Sequence, residues 1–328
     1  MRFSEQSILL ETRKRVKKMS TAEYDEGLVS GTALGERSVT NCLEIDPSIF
    51  QSCFNRKPFL IAHHLSDHPL FNLSRLLDLS VRLPADNVEY NAGDVGVSLD
   101  PTLTPRTGLS VQETIRRIEA CRSWMVLKNV ELDSEYRALL DNCLEEIKVF
   151  SELLSKGMCK REGFIFITSP LSVTPYHIDI EHNFLLQIRG TKTINTFNKS
   201  DRSILSELEL EAFYSGAHRN LLFKEEYQDK ALTFELGPGT GLHVPLTTPH
   251  WVKNGDQVSI SFSITFRTEE SERRSLVYAA NARLRKLGLS PAPFGCSFLQ
   301  DTAKYHGYRV CRRANRVMNL FRSRLPGA

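Results

Sequence analysis

The chain has 328 residues, 41% of them hydrophobic and 25% charged, with a net charge of +3. That supports one large globular domain or two small ones, and the charge alone is too small to imply a nucleic-acid partner. No apolar run reaches the roughly 18 residues of a membrane span, Met1 to Gln6 lacks the apolar core of a signal peptide, and the seven scattered Cys contain no Cys-x-x-Cys pair, which fits reduced thiols in a cytoplasm better than a disulfide framework.

Residues 1–40 are polar and basic, with one short helical pattern at Ile8, Leu9, Leu10 and Val16. We expect a partly disordered segment or docking arm there. Regular structure is expected from Leu43. Asp46-Pro47-Ser48 reads as a capped helix start. Phe59 to Ala62, Val88 to Asn91 and Trp124 to Leu127 read as strands. Leu70 to Leu79, Val111 to Cys121 and Tyr136 to Leu154 have apolar residues at helical spacing.

From Gly163 the pattern turns to β. Gly163 to Ile167, His177 to Ile188, Thr191 to Phe197, Ala231 to Phe234, Gly241 to Val244 and Gln257 to Phe266 are short runs punctuated by Gly, Pro, Asn and Asp. Leu205 to Phe213 interrupts them as a short helix. The last run alternates, with Val258, Ile260, Phe262 and Ile264 on one face and Ser259, Ser261 and Ser263 on the other. A row of small hydroxyls suits the interior of a barrel that holds a polar ligand. After Thr268 two helices are expected, Glu270 to Leu287 and about Phe298 to Arg322, with Pro291-Ala292-Pro293 between them.

The chemistry-bearing residues lie in the β region. Thr174-Pro175-Tyr176-His177-Ile178-Asp179 carries a His-x-Asp pair, and His250 follows His177 by 73 residues in Thr248-Pro249-His250-Trp251-Val252. Residues two apart on a strand share a face, so His177 and Asp179 are expected side by side, with Asn183 in the same parity. Prolines before His250 would turn its imidazole toward them. Two imidazoles and one carboxylate on one face form the triad that holds non-haem Fe(II) and leaves coordination positions open. Lys192, beyond a Gly190 turn, could meet a dicarboxylate. His182 has the opposite strand parity and reads as packing. His243 reads as a core residue, or as one that holds water or substrate near the site.

His177-Ile178-Asp179, the run Asn183-Phe184-Leu185-Leu186-Gln187-Ile188-Arg189-Gly190-Thr191-Lys192, and Pro245 through Pro249-His250-Trp251-Val252 together resemble the cupin-like branch of the Jumonji-C proteins, the branch of the asparaginyl hydroxylase of hypoxia-inducible factor. The resemblance is close over about residues 160–268 and loose over 43–160. It implies a mainly β fold with flanking helices, a double-stranded β-helix, and an oxygenase dependent on Fe(II) and 2-oxoglutarate, with succinate and CO2 as co-products. On this resemblance His177, Asp179 and His250 bind the metal and Lys192 pairs with the distal carboxylate of 2-oxoglutarate. Thr174 and Asn183 match positions that bond the co-substrate, and Ser263 stands where that branch has an Asn. Arg267 is a rival carboxylate partner.

The resulting division is a polar segment at 1–40, a cupin-like domain at 41–268 and a basic helical segment at 269–328. In the last, Arg309, Arg312, Arg313, Arg316, Arg322 and Arg324 alternate with Val310, Val317, Leu320 and Phe321. That pattern is expected to pack on the domain, to pair with a second copy as the C-terminal helices of the resembled hydroxylase do, or to meet an acidic partner. The expected function is hydroxylation of a protein side chain or a small molecule. A non-enzymatic cupin-like binding protein and a Jumonji-C demethylase are the alternatives. Substrate choice is expected to lie with the loops over the barrel mouth and with residues 85–110.

Overall fold

The computed structural model describes residues 41–322, so the expectation for residues 1–40 lies outside the described residues. In chain order the elements are β1 (Leu43–Glu44), α1 (Pro47–Cys53), β2 (Phe59–His63), α2 (Leu73–Arg82), β3 (Val88–Ala92), α3 (Val111–Arg116), β4 (Ser123–Lys128), α4 (Ser134–Leu154), β5 (Cys159–Thr168), β6 (Val173–His177), β7 (His182–Arg189), β8 (Lys192–Thr196), α5 (Glu207–Tyr214), β9 (Leu232–Leu236), β10 (Thr240–Val244), β11 (His250–Asn254), β12 (Ser259–Arg267), α6 (Glu269–Lys286) and α7 (Phe298–Arg322).

The strands form two antiparallel sheets. One runs β1-β2-β10-β7-β12-β5-β4-β3 and the other β6-β11-β8-β9. The eight strands from β5 onward cross between the two sheets at every step except β8 to β9, which pair within the smaller sheet; this jelly-roll order makes the core a double-stranded β-helix. The earlier strands lengthen the larger sheet at both edges.

Side-chain alternation explains the layering. On β12, Ile260, Phe262, Ile264 and Phe266 join Phe184, Leu186 and Ile188 of β7 in the main core. That core lies between the larger sheet and helices α1, α2 and α4, to which Phe50, Leu76, Leu79, Leu139, Leu144 and Ile147 belong. Each such side chain stabilises the fold by about 1.5–3 kcal/mol on burial. The opposite face of β12, Ser259, Ser261, Ser263 and Thr265, is buried inside the barrel. Its hydroxyls find partners there: Ser261 Oγ donates to Gln187 Oε1 at 2.7 Å, and Gln187 Nε2 donates to Ser259 Oγ at 3.0 Å.

Two expectations need correcting. The helix from Val111 ends at Arg116 rather than Cys121. Its capping box, Ser110 with Glu113, fixes the start, and turns follow it. The run from His177 to Ile188 is not one strand. β6 ends at His177, residues 178–181 form a bend, and β7 begins at His182 in the other sheet. Gly190 makes the next crossing between sheets. Its φ is +67°, and a Cβ there would collide with the Val258 carbonyl.

Candidate metal centre

Since Asp179 lies in the bend, strand parity does not bring it beside His177. Sheet pairing and two backbone bonds do. His177 and His250 are Cα partners across β6 and β11. Asp179 is held from both sides: Ile178 N–H donates to the Arg219 carbonyl at 3.1 Å, and Thr247 N–H donates to the Asp179 carbonyl at 2.7 Å. Thr247 is left-handed, with φ of 56°, in the segment between Pro245 and Pro249. The Ile178 side chain is buried with Leu205, Leu210 and Tyr278 and anchors the bend.

The result is convergent. One ligand-type atom from each of His177, Asp179 and His250 lies within 4.8 Å of the others. Nε2 of each imidazole stands 3.7 Å from Asp179 Oδ2. Both Nδ1 atoms are engaged elsewhere, His177 with the Pro175 carbonyl at 2.7 Å and His250 with the Thr248 carbonyl at 2.9 Å. A carbonyl only accepts, so Nδ1 carries the proton and Nε2 keeps its lone pair turned to the centre. Burial depresses the pKa of both rings, that of His177 well below the usual histidine range, and keeps them neutral. Burial also works to raise the Asp179 carboxyl. The His177 ring, the Arg219 guanidinium and the His250 ring outweigh it and hold the group below its ordinary value. Two neutral imidazoles and a carboxylate are the donor set a divalent iron-type ion takes.

The remaining predicted residues line the barrel around this point. Lys192 opens β8 and points inward with Ile194. It is 6% exposed, and burial lowers its pKa to about 7. No carboxylate lies within ion-pair distance of it among the described residues. Its rung, Lys192 opposite Asn254, is four residues from the rung of Thr196 opposite His250, about 13 Å along the strand. That interval suits a lysine stem and a five-carbon diacid end to end. Asn183 and Ser263 meet inside the barrel, the Ser263 hydroxyl donating to Asn183 Oδ1 at 2.8 Å. Thr174 Oγ1 accepts from Trp124 Nε1 at 3.1 Å, which leaves its hydroxyl proton free for a ligand.

Three other residues are spoken for. Arg267 pairs with Glu181 at 2.8 Å and Glu272 at 3.2 Å, which removes it as a rival carboxylate partner. His182 and His243 face away from the barrel interior, stacked on Phe54 at 4.8 and 5.2 Å. His243 therefore packs in the core and does not touch the centre.

A cavity of about 780 Å³ opens onto His177 and Asp179. Trp124, Val126 and Phe166 line it together with the charged Glu89, Arg106 and Arg219. Its lining includes residues between Glu89 and Arg106 and the run from Gly216 to Asn220, so part of the 85–110 segment does border the site. Sequence reasoning missed Arg219, whose Nη1 donates to Asp179 Oδ1 at 3.1 Å. It sits in a polar loop forty residues away, and nothing in its spacing singles it out. Trp124 was placed on a strand but not at the site.

No family model matches this sequence, and no curated protein matches it. Among solved structures the chain is similar to ycfD of E. coli at TM-score 0.46 and 14% identity, over 82% of this chain and 67% of that one. Two further structures of that protein, described as a ribosomal oxygenase from Escherichia coli, match with the same coverage and identity. Its complex with cobalt and 2-oxoglutarate gives a TM-score of 0.43, and its complex with cobalt and succinic acid 0.42. At such scores the likeness says nothing of this chain's chemistry, which has to come from its own residues.

Proposed function

We propose that this chain is an Fe(II)- and 2-oxoglutarate-dependent oxygenase that hydroxylates a protein side chain or a small molecule. The observation that carries this reading is the convergence of His177 Nε2, His250 Nε2 and Asp179 Oδ2, with His177 and Asp179 lining an open cavity. Bound there, Fe(II) and 2-oxoglutarate would supply oxidative decarboxylation to succinate and CO2, coupled to oxygen insertion into a substrate C–H bond.

In this reading His177, Asp179 and His250 hold the metal, their tautomers and orientation set by the Pro175 and Thr248 carbonyls. Lys192 receives the distal carboxylate. Among the described residues its ammonium is buried without an anion, and an anion would relieve that cost. Thr174 donates its hydroxyl proton to the co-substrate, oriented by Trp124. Asn183 offers Nδ2, because Ser263 occupies its Oδ1. Trp124, Val126 and Phe166 give the cavity part of its apolar lining.

The catalytic unit in this reading is residues 41–268, working in a reducing cytoplasm. The basic segment 269–328 pairs with a second copy or with an acidic partner. Arg309, Val310, Arg312 and Arg313 are exposed on α7, which favours an intermolecular contact there. Among the described residues, no helix is long and apolar enough to cross a membrane.

The test is turnover of 2-oxoglutarate to succinate with Fe(II) and ascorbate, for wild type and Asp179→Ala. The wild type is expected to show slow turnover without substrate, and the variant none. Wild-type protein that neither turns over nor binds 2-oxoglutarate with metal present would leave a non-enzymatic binding protein. Formaldehyde release on a methylated substrate would move the reading to a demethylase.

A further inference from the structure

The two oxygens of Asp179 do different things. Oδ2 is turned to the imidazoles, 3.7 Å from each Nε2. Oδ1 accepts from Arg219 Nη1 at 3.1 Å. A carboxylate can give a divalent ion one oxygen or two. With two, Asp179 would take an extra coordination position, one that a chelating co-substrate or O2 needs. We infer that Arg219 is a positioning residue that restricts Asp179 to one oxygen, and so preserves the open positions of the centre. The inference rests on the oxygenase reading above.

Arg219 is built for this task from the wall side. Its segment is laced to the end of β6 by an antiparallel bridge that sets Asn220 opposite His177. Two backbone bonds make the bridge: the Ile178 N–H donates to the Arg219 carbonyl at 3.1 Å, and the Leu221 N–H donates to the Tyr176 carbonyl at 3.0 Å. The same strand that carries His177 therefore fixes the height of Arg219. Its side chain is 41% exposed and borders the cavity. A guanidinium has five N–H donors in a planar fork. One is spent on Asp179, which leaves others turned toward whatever enters the cavity. A substrate group that engages them would act on the same Asp179 oxygen, so Arg219 joins the substrate wall to the metal ligand.

Co(II) is the probe. Its visible absorption reports coordination, and its response to added 2-oxoglutarate reports co-substrate binding. Both dissociation constants are measured for wild type, Arg219→Ala and Arg219→Lys. In Arg219→Ala the freed Oδ1 can join the metal and a nearby cation is gone. Co(II) should then bind as tightly as in wild type or more tightly, with an altered spectrum before any co-substrate is added. The affinity for 2-oxoglutarate should fall by about tenfold, the low end of losses seen when groups behind a metal ligand are removed. Arg219→Lys keeps a cationic donor and should restore the wild-type spectrum and affinity. A merely structural role would weaken both affinities together, and that result would overturn the assignment, as would an unchanged spectrum in Arg219→Ala. A wild-type Co(II) spectrum that ignores 2-oxoglutarate would sink the oxygenase reading itself, and the assignment with it.

Discussion

Ser263 and Asn183 lie on neighbouring strands, β12 and β7, and are joined inside the barrel by a 2.8 Å hydrogen bond from the Ser263 hydroxyl to Asn183 Oδ1. The bond decides which end of the Asn183 amide is left to donate. Ser263→Ala would strand Oδ1 in a buried site, since Asn183 is only 9% exposed. We expect a stability loss of about 1–3 kcal/mol in urea denaturation. The amide would also be free to flip, so 2-oxoglutarate affinity should fall. Unchanged affinity would remove Asn183 from the co-substrate site.

Lys192 makes co-substrate binding pH-dependent. Folding lowers its pKa from 10.5 to about 7 by burial. Without ligand, the unfolded chain keeps this proton where the fold loses it, so stability rises with pH from about 7 to 10.5. A dicarboxylate needs the charged form. Its affinity should be flat below about pH 7 and fall above it, by up to about tenfold per pH unit. Lys192→Arg keeps its charge and should flatten the profile. Calorimetric titration of metal-loaded protein from pH 6 to 9 measures both (the range brackets the pKa of the buried lysine). A flat wild-type profile would exclude Lys192 as the carboxylate's partner.

His182 is fully buried, and neither ring nitrogen has a hydrogen-bond partner among the described residues. It stacks between Phe54 at 4.8 Å and Phe266 at 5.3 Å. Burial holds it neutral, well below 6.5. As pH falls through 6.5 the unfolded chain takes up a proton that the fold refuses, so folding loses about 1.4 kcal/mol per pH unit for each such group. His63, lowered to about 4, and His243, lowered to about 3, act in the same direction. His182→Phe should fit the aromatic stack, raise stability by about 1–3 kcal/mol, and reduce the slope between pH 6.5 and 5. Equal pH slopes for the two proteins across that range would show that the folded protein takes up this proton as readily as the unfolded chain, and would overturn the prediction.

Much of the architecture was legible because its signals are local. Alternation on β12 predicted the split between Phe262 in the core and Ser261 in the barrel, because pleating sends neighbours to opposite faces. The same rule excluded His182 from the site. It failed at His177 and Asp179, where it was applied across a bend that no periodicity marks. The ligands still converge, but through the β6–β11 pairing and the bonds of Ile178 and Thr247. Arg267 shows the converse. Its position in the sequence suggested a carboxylate partner for a ligand, and two side chains distant or near in sequence, Glu181 and Glu272, already neutralise it.

The sequence by itself determined the residue types of the centre, the order of the strands and the face each alternating side chain takes, since those depend on neighbours two to four residues apart. Only the tertiary structure decided which atoms meet. Closing the two sheets pairs His177 with His250 across 73 positions, brings Arg219 onto Asp179 across forty, and leaves Lys192 buried without an anion among the described residues. Those contacts follow from how strands pair over long separations, and the energy of that pairing is spread over the whole barrel rather than written in any one segment.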